Sequence, residues 1–593
     1  MTITLKDLKN NDKFIIAVTG GTIGLLIFLI IYGIAPLNPT NDAFVLSGYL
    51  EKDIAQHYAG WKLFRNSPWD FPLGIGSDIE FPYGNSVSYT DSIPLFAIFF
   101  KLISSILPKT FQYFGIFVLL CFVLQGIFGA LLVSLFAESK LYCGIGAIIF
   151  TLSPVMVERA FRHCALTAHF LILAALYYYF KNRRKSNKSY IPFYIINAIA
   201  ITIHPYFLPF TFSIMFAFAV EDFILAKNWW KPWAHVILSI CVTLAVGYCI
   251  GAFTSGEVLG AVGYGYFSMN LNSYINPVST HFDGVNNWSA FLPDRAYFGG
   301  QNEGFNYLGI GIIAAAVLSF FMIIISNFKV IVKFITNRFG IIFSALCLTL
   351  FAFSNAIYWD DKLIFRIPYG EKLELFFGMF RATGRFGYLL FYLIFLLALY
   401  GIYMSLKNPK IACAVIALFT AVQIYDLSDV LLEKHQYFYN FSTDNRQYRA
   451  MEAIHPFWED AISNDIIEAV VEVDDIHNPL FGNGMIDIAS MCGTYNKPIN
   501  SAFCARFNYH ERYSVMENED ILFKKGEYNS YLYILDERAF HHSYYLLLND
   551  RCQAFMVDGQ YVMVPFMYSD DKIAEFTSMG NFEELDHEDI PVK

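Results

Sequence analysis

Charge is scarce in this chain of 593 residues: Asp, Glu, Lys and Arg make up 16%, against about 25% in soluble domains. That figure, with a positive mean hydropathy, excludes an ordinary soluble protein along the whole length. A basic excess is also missing. The formal net charge is −10, and the segment 569–593 carries Asp570, Asp571, Glu575, Glu583, Glu584, Asp586, Glu588 and Asp589 against two lysines. Nucleic acid as a partner is excluded, because phosphate affinity needs clustered Lys and Arg. There is no glycine-rich phosphate loop, no Gly-x-Ser-x-Gly elbow and no internal repeat. None of the ten cysteines stands at a metal-ligand spacing. Seven of them lie in or beside apolar segments, where a reduced Cys packs as a small hydrophobe. Cys492, Cys504 and Cys552 leave room for one disulfide in the polar part.

Apolar residues are abundant. They make up 56% of the chain, with 18% aromatic, and runs of about twenty recur from Phe14 to Leu427. The first run is too long for a signal-peptide core and lacks a small-residue cleavage site, so it reads as a retained span. The expected fold is an α-helical polytopic membrane domain of about eleven to twelve spans with a carboxy-terminal extracytoplasmic α/β domain. Residues 1–430 form the first domain, with a large external loop at 35–91. Residues 431–568 form the second, and 569–593 an acidic tail. Strands are expected at 466–473, 485–490, 531–535, 554–557 and 561–566.

Basic clusters orient the chain. Lys6, Lys9 and Lys13, then Lys181 to Lys188, Lys227 and Lys231, Lys329 to Arg338, and Lys407 and Lys410 mark cytoplasmic loops by the positive-inside rule. The amino terminus is then cytoplasmic, and the first long loop and the carboxy-terminal domain lie outside. The stretch 92–107 upsets the parity. It is short and contains Lys101, so it reads as a re-entrant or interfacial helix, a twelfth span being the alternative.

Candidate chemistry gathers in the outward-facing segments. Asp53 and His57 stand at i,i+4, so they share a helix face. That helix would lie on the membrane with Tyr58, Trp61 and Phe64 as anchors, and its carboxylate could act as a general base. Asp91 opens the next helix, where it or Thr90 fits an N-cap. Arg159 and His163 end an apolar span beside Glu158 and Arg162, and His204 with Tyr206 interrupts two spans. Glu303 is the carboxylate just before another span, and Arg381 and Arg385 stand at i,i+4 at a span entry. Arginines on an outer face call for an anion, and a lipid-linked phosphate fits.

The segments KDIAQHYAGWKLFRNSPWDFPLG, YTDSIPLFAIFFK, EGFNYLG and FRATGRF resemble, in order, the superfamily C polytopic membrane glycosyltransferases and, within them, an uncharacterised bacterial membrane family. The resemblance implies a polyprenyl-phosphate-linked sugar donor, an acceptor glycan, lipid or polymer, and a bacterial cytoplasmic membrane location. It places the catalytic acidic residue at Asp53; His57 and Asp91, read from the residues themselves, are the other catalytic candidates. Arg159, His163, His204, Tyr206, Glu303, Arg381 and Arg385 remain candidates for substrate binding. A single Asp stands where some members have paired acidic residues, so no cofactor is expected and a divalent metal is left open. Asp53 would deprotonate the acceptor hydroxyl, which attacks the anomeric carbon opposite the lipid phosphate and inverts it. The competing readings are a lipid-linked glycan transporter, which should show repeats and broken helices, and a non-catalytic assembly protein.

Overall fold

The computed structural model describes residues 5–47, 53–184, 188–225, 229–254, 264–278, 287–368, 370–440, 452–474, 482 and 484–589. The chain divides into two units. One comprises residues 1–38, 113–245 and 259–443, and the other 39–112, 246–258 and 444–593.

Among the described residues, seven helices are long and apolar enough to cross a membrane: Asp12–Tyr32, Phe114–Val133, Cys164–Asn182, Phe207–Leu225, Lys231–Cys249, Thr383–Ser405 and Pro409–Asp426. Shorter apolar helices lie at Lys140–Thr151, Ile191–Ile203, Ile310–Ile325 and Phe339–Ala352. Small residues let these helices approach closely, which is how apolar helices associate where lipid removes the hydrophobic drive. A Cβ at Gly126 would sit 2.2 Å from the carbonyl oxygen of Gly20, and one at Gly24 would sit 2.2 Å from that of Phe122. Buried carboxylates pin helix ends. Asp426 accepts from the Tyr307 hydroxyl at 2.7 Å and from the Ile310 amide at 2.8 Å, capping the helix Ile310–Asn337. Glu221 accepts from the Gly340 amide at 2.9 Å, at the start of Phe339–Ala352.

In the second unit a five-stranded sheet runs in the order Ala469–Val473, Tyr531–Leu535, Gln560–Val564, Gln553–Val557, Phe582–Leu585. The first pair is parallel and the others are antiparallel. The long opening loop folds within this same unit. Ile499 bridges Val470 on one side and Ile79 on the other. The Phe81 amide donates to the Ile499 carbonyl at 2.9 Å, and the Ile499 amide to the Asp78 carbonyl at 3.1 Å. Residues 78–81 therefore continue the sheet edge, satisfying backbone groups that an open edge would leave unpaired. Glu80 forms a two-pronged ion pair with Arg512, whose Nε stands 2.7 Å from Oε2.

Several expectations change. The helix Asp53–Asn66 forms, but Tyr58, Trp61 and Phe64 are fully buried and do not anchor a surface helix. They are buried because the helix packs on Gly484–Tyr495, where a Cβ at Gly493 would meet the Lys62 Cβ at 2.5 Å. Asp91 is not an N-cap. It closes the 3-10 turn Val87–Thr90 in the left-handed region (φ 53°), and the following helix, Pro94–Lys101, starts with proline. That helix has eight residues, about 12 Å, too short to cross a bilayer. Residues 485–490 are helical, not extended: a short apolar run does not distinguish the two, and Met485, Ile486, Ile488 and Ala489 are buried together. The expected acidic tail contributes the helix Asp570–Ser578 and the edge strand Phe582–Leu585. All ten cysteines are free.

Candidate functional site

Among the described residues of the first unit, a dense group of ionisable side chains surrounds Glu303. Two one-turn segments build it, Gln301–Gly304 and Thr383–Gly387. They touch backbone to backbone, since a Cβ on Gly384 would lie 2.4 Å from the Gly304 Cα. The Asn306 amide ties them together, donating to the carbonyls of Gly304 at 2.9 Å and Gly384 at 3.1 Å. Glu303 and Arg385 are thereby fixed face to face. Arg385 donates to Glu303 Oε2 from Nε at 3.2 Å and from Nη2 at 2.8 Å.

The third wall is the segment 158–163. The helix Pro154–Arg159 starts at a proline and stops where Phe161 takes a positive φ of 63°. This sharp exit folds Arg162 back onto Glu158, with which it forms a buried ion pair. Arg159 Nη1 stands 3.0 Å from Glu303 Oε2, its Nη2 donates to the Glu303 carbonyl at 3.1 Å, and Arg162 Nη2 lies 3.8 Å from Glu303 Oε1. Burial alone would push the Glu303 carboxyl up, but Arg159, Arg385 and Arg162 together hold it well below the usual carboxylate range. Three guanidiniums thus face two carboxylates, and the arginines at 159 and 162 are only 1% exposed.

Aromatic and imidazole groups flank this cluster. Arg385 lies over the Tyr206 ring, 5.0 Å from its centroid. The Tyr206 hydroxyl accepts from the Ala382 amide at 2.9 Å, and the Tyr206 amide donates to His204 Nδ1 at 3.1 Å. The His163 and His204 rings meet edge to face at 5.5 Å. Of the residues singled out in sequence, Arg159, His163, His204, Tyr206, Glu303 and Arg385 come together here. Arg381 lies at the exposed edge of the group, its guanidinium 4.8 Å from the Phe267 ring and its charge reaching Tyr206.

Lys434 escaped the sequence reading. It is 3% exposed, in the helix Ser428–Asn440. Burial lowers its amine, while Glu158 and Glu433 oppose that shift. Its spacing held the signal: Val430 and Phe438, four residues to either side, are buried, which puts Lys434 on the inward stripe.

The remaining candidates belong to the second unit. Asp53 is the first residue of its helix and is partly exposed, and His57, one turn on, is fully buried. The Ser92 hydroxyl donates to the His57 carbonyl at 2.6 Å. Gly60 admits this contact, because a Cβ there would meet the Thr90 hydroxyl at 2.2 Å. The turn so held brings a carboxylate oxygen of Asp91 within 4.8 Å of a His57 ring nitrogen. A carboxylate beside an imidazole can hold or relay a proton.

Taken together, the apolar helices mark the chain as a multi-pass membrane protein. Residues 21–428 match the family described as Domain of unknown function (DUF6311), and the chain belongs to that family. The matched region contains the Glu303 cluster except Lys434, and also Asp53, His57 and Asp91. No curated protein matches the chain.

Proposed function

We propose that this chain is an integral membrane glycosyltransferase that takes its sugar from a polyprenyl-phosphate donor and passes it to a glycan, lipid or polymer hydroxyl. The observation that carries the reading is the Glu303 cluster. Arg159, Arg162 and Arg385 are held on Glu303 and Glu158 in a largely buried setting, where a fixed cation acts on an anion far more strongly than in water. Arg385 is held over the Tyr206 ring, which fixes the guanidinium in place. The chemistry asked of such a site is modest. A phosphate leaving group needs no strong acid, only cations aimed at the charge that grows as the anomeric bond breaks. On the resemblance given above the base is Asp53; elsewhere in its own unit the Asp91 carboxylate and the His57 imidazole can hold or relay a proton. The donor comes from the bacterial cytoplasmic membrane, and transfer takes place on its outer face.

Transport of lipid-linked glycans is a second reading, favoured by a buried polar chain inside the helices. Gln125 Nε2 donates to the Tyr392 hydroxyl at 3.1 Å, and that hydroxyl meets Ser153 Oγ at 3.1 Å and His169 Nδ1 at 2.9 Å. Intramembrane polar chains of this sort accompany substrate or proton pathways.

The deciding experiment is sugar transfer by the full chain in liposomes, offered a panel of polyprenyl-phosphate sugars, with Asp53→Asn alongside. Release of polyprenyl phosphate by the wild type and its loss in the variant, donor binding intact, support the enzyme and its base. Passage of the intact donor across the bilayer with no release supports transport and overturns the transferase.

A further inference from the structure

A cavity of about 590 Å³ lies among the helices of the first unit, the size of a small-molecule site. Its walls are apolar, including Phe136, Phe320, Leu346, Leu393 and Ile394, and among the described residues its formal charges are Arg184 and Arg338. It is distinct from the Glu303 cluster. The helix Tyr388–Ser405 contributes Leu390 to Tyr400 to the wall, and Tyr400 is fifteen residues past Arg385, roughly 20 Å along the axis.

The two arginines are only partly answered by carboxylate: the charge of Glu221 reaches Arg338 without an ion pair to it. Glu221 answers their neighbour Arg183, at 3.3 Å from its Nε. Arg184 instead donates to the Leu135 carbonyl and Arg338 to the Asn337 carbonyl, and among the described residues neither is within ion-pair distance of a carboxylate. Burial, and then the charge of Arg338, push the Arg184 guanidinium down from its usual value. Two guanidiniums at the rim of a greasy cavity are complementary to an amphiphile with an anionic head. Basic pockets between membrane helices bind such head groups.

We propose that this cavity binds an anionic phospholipid of the surrounding membrane, with one acyl chain along the Phe136, Phe320 and Leu393 wall and the phosphate between Arg184 and Arg338. The site does not depend on the glycosyltransferase reading and would persist if that reading failed. An anionic lipid here would bridge the helices Cys164–Asn182, Ile310–Asn337, Phe339–Ala352 and Tyr388–Ser405 at one end.

The test is native mass spectrometry of the purified full chain exposed to phosphatidylglycerol or phosphatidylcholine with identical acyl chains. The wild type should retain phosphatidylglycerol at least about tenfold better, as expected for two basic side chains. Arg184→Gln with Arg338→Gln should bring the two lipids to equal retention. Leu346→Trp leaves both arginines in place and narrows the cavity from a half-exposed position, so it should reduce retention of both lipids. Equal retention by the wild type overturns the proposal, as does an unchanged preference in the double variant. Should the double variant fail to fold, Leu346→Trp decides alone, and unchanged retention there also overturns the proposal.

Discussion

Glu303 and Arg385, 82 residues apart, meet in a two-pronged ion pair in which one carboxylate oxygen accepts from both Nε and Nη2. The pair is held by backbone contact at Gly304 and Gly384 and joined from another side by Arg159. Removing the carboxylate leaves Arg159, Arg162 and Arg385 facing one another. Breaking one side of a buried pair costs about 3–5 kcal/mol, so Glu303→Gln should lower the melting temperature in detergent sharply. Arg381→Ala, at an exposed position, should change the stability by less than about 0.5 kcal/mol and leave the melting temperature nearly unmoved.

Glu303 also predicts an acid dependence. Its folded carboxyl titrates below the ordinary range because the arginines outweigh the effect of burial. The unfolded chain takes up that proton near pH 4.3. The stabilisation is therefore complete above that pH and is lost as pH falls toward the folded value. Melting curves of wild type and Glu303→Gln should run parallel above about pH 5 and converge in acid. Curves that stay parallel throughout would mean that Glu303 is not held in its charged form.

Much of the Glu303 cluster was legible in the sequence, and the reason is chemical. Arginine and histidine at the ends of apolar runs are costly, so Arg159, His163, His204 and Arg385 stood out without a structure. Their pairing was not legible: no periodic pattern links Glu303 to a segment 144 residues earlier. The opening loop hid more. Its aromatic residues read as membrane anchors, but Tyr58, Trp61 and Phe64 are core. Nor did the sequence pair its Glu80 with Arg512, which it holds within the second unit. Composition shows that such residues need a partner and leaves open whether lipid, ligand or protein supplies it.

The Glu80–Arg512 pair gives a local test within the second unit. Arg512 also lies 3.4 Å over the Phe507 ring, so it loses packing as well as charge when truncated. Arg512→Ala leaves the Glu80 carboxylate buried and should destabilise this unit by about 3–5 kcal/mol. Hydrogen exchange should rise first at the Phe81 and Ile499 amides, which bond across the added sheet edge. An unchanged exchange pattern would show that the edge holds without the pair.

Close helix contact makes a sharp prediction about glycine. A Cβ at Gly126 would fall 2.2 Å from the Gly20 carbonyl oxygen, a backbone atom that cannot swing aside. Gly144, on the helix Lys140–Thr151, has its nearest foreign atom at 3.6 Å, the flexible tip of Ile23. Gly126→Val should therefore abolish recovery of monodisperse protein in detergent. Gly144→Ala should be neutral or stabilising by up to about 1 kcal/mol through helix propensity. Normal folding of Gly126→Val would refute the close contact between Asp12–Tyr32 and Phe114–Val133.

Lys101 makes a pH prediction of the same sign as Glu303, in the alkaline range. Its ammonium is buried beneath Phe64 and Trp69, at 4.0 and 4.7 Å from their ring centroids, and donates to the Pro68 carbonyl at 3.3 Å. Burial pulls its amine down to about 8, with Asp78 opposing the shift. The unfolded chain holds this proton up to about pH 10.4. Between pH 8 and 10.4 the unfolded state binds more protons, so stability rises with pH across that window. Lys101→Met keeps the aliphatic stem, removes the buried charge, and should flatten that rise while raising the melting temperature at pH 7. A rise that survives the substitution would assign the titration to another group, and a lower melting temperature at pH 7 would show that the cation–π contacts outweigh desolvation.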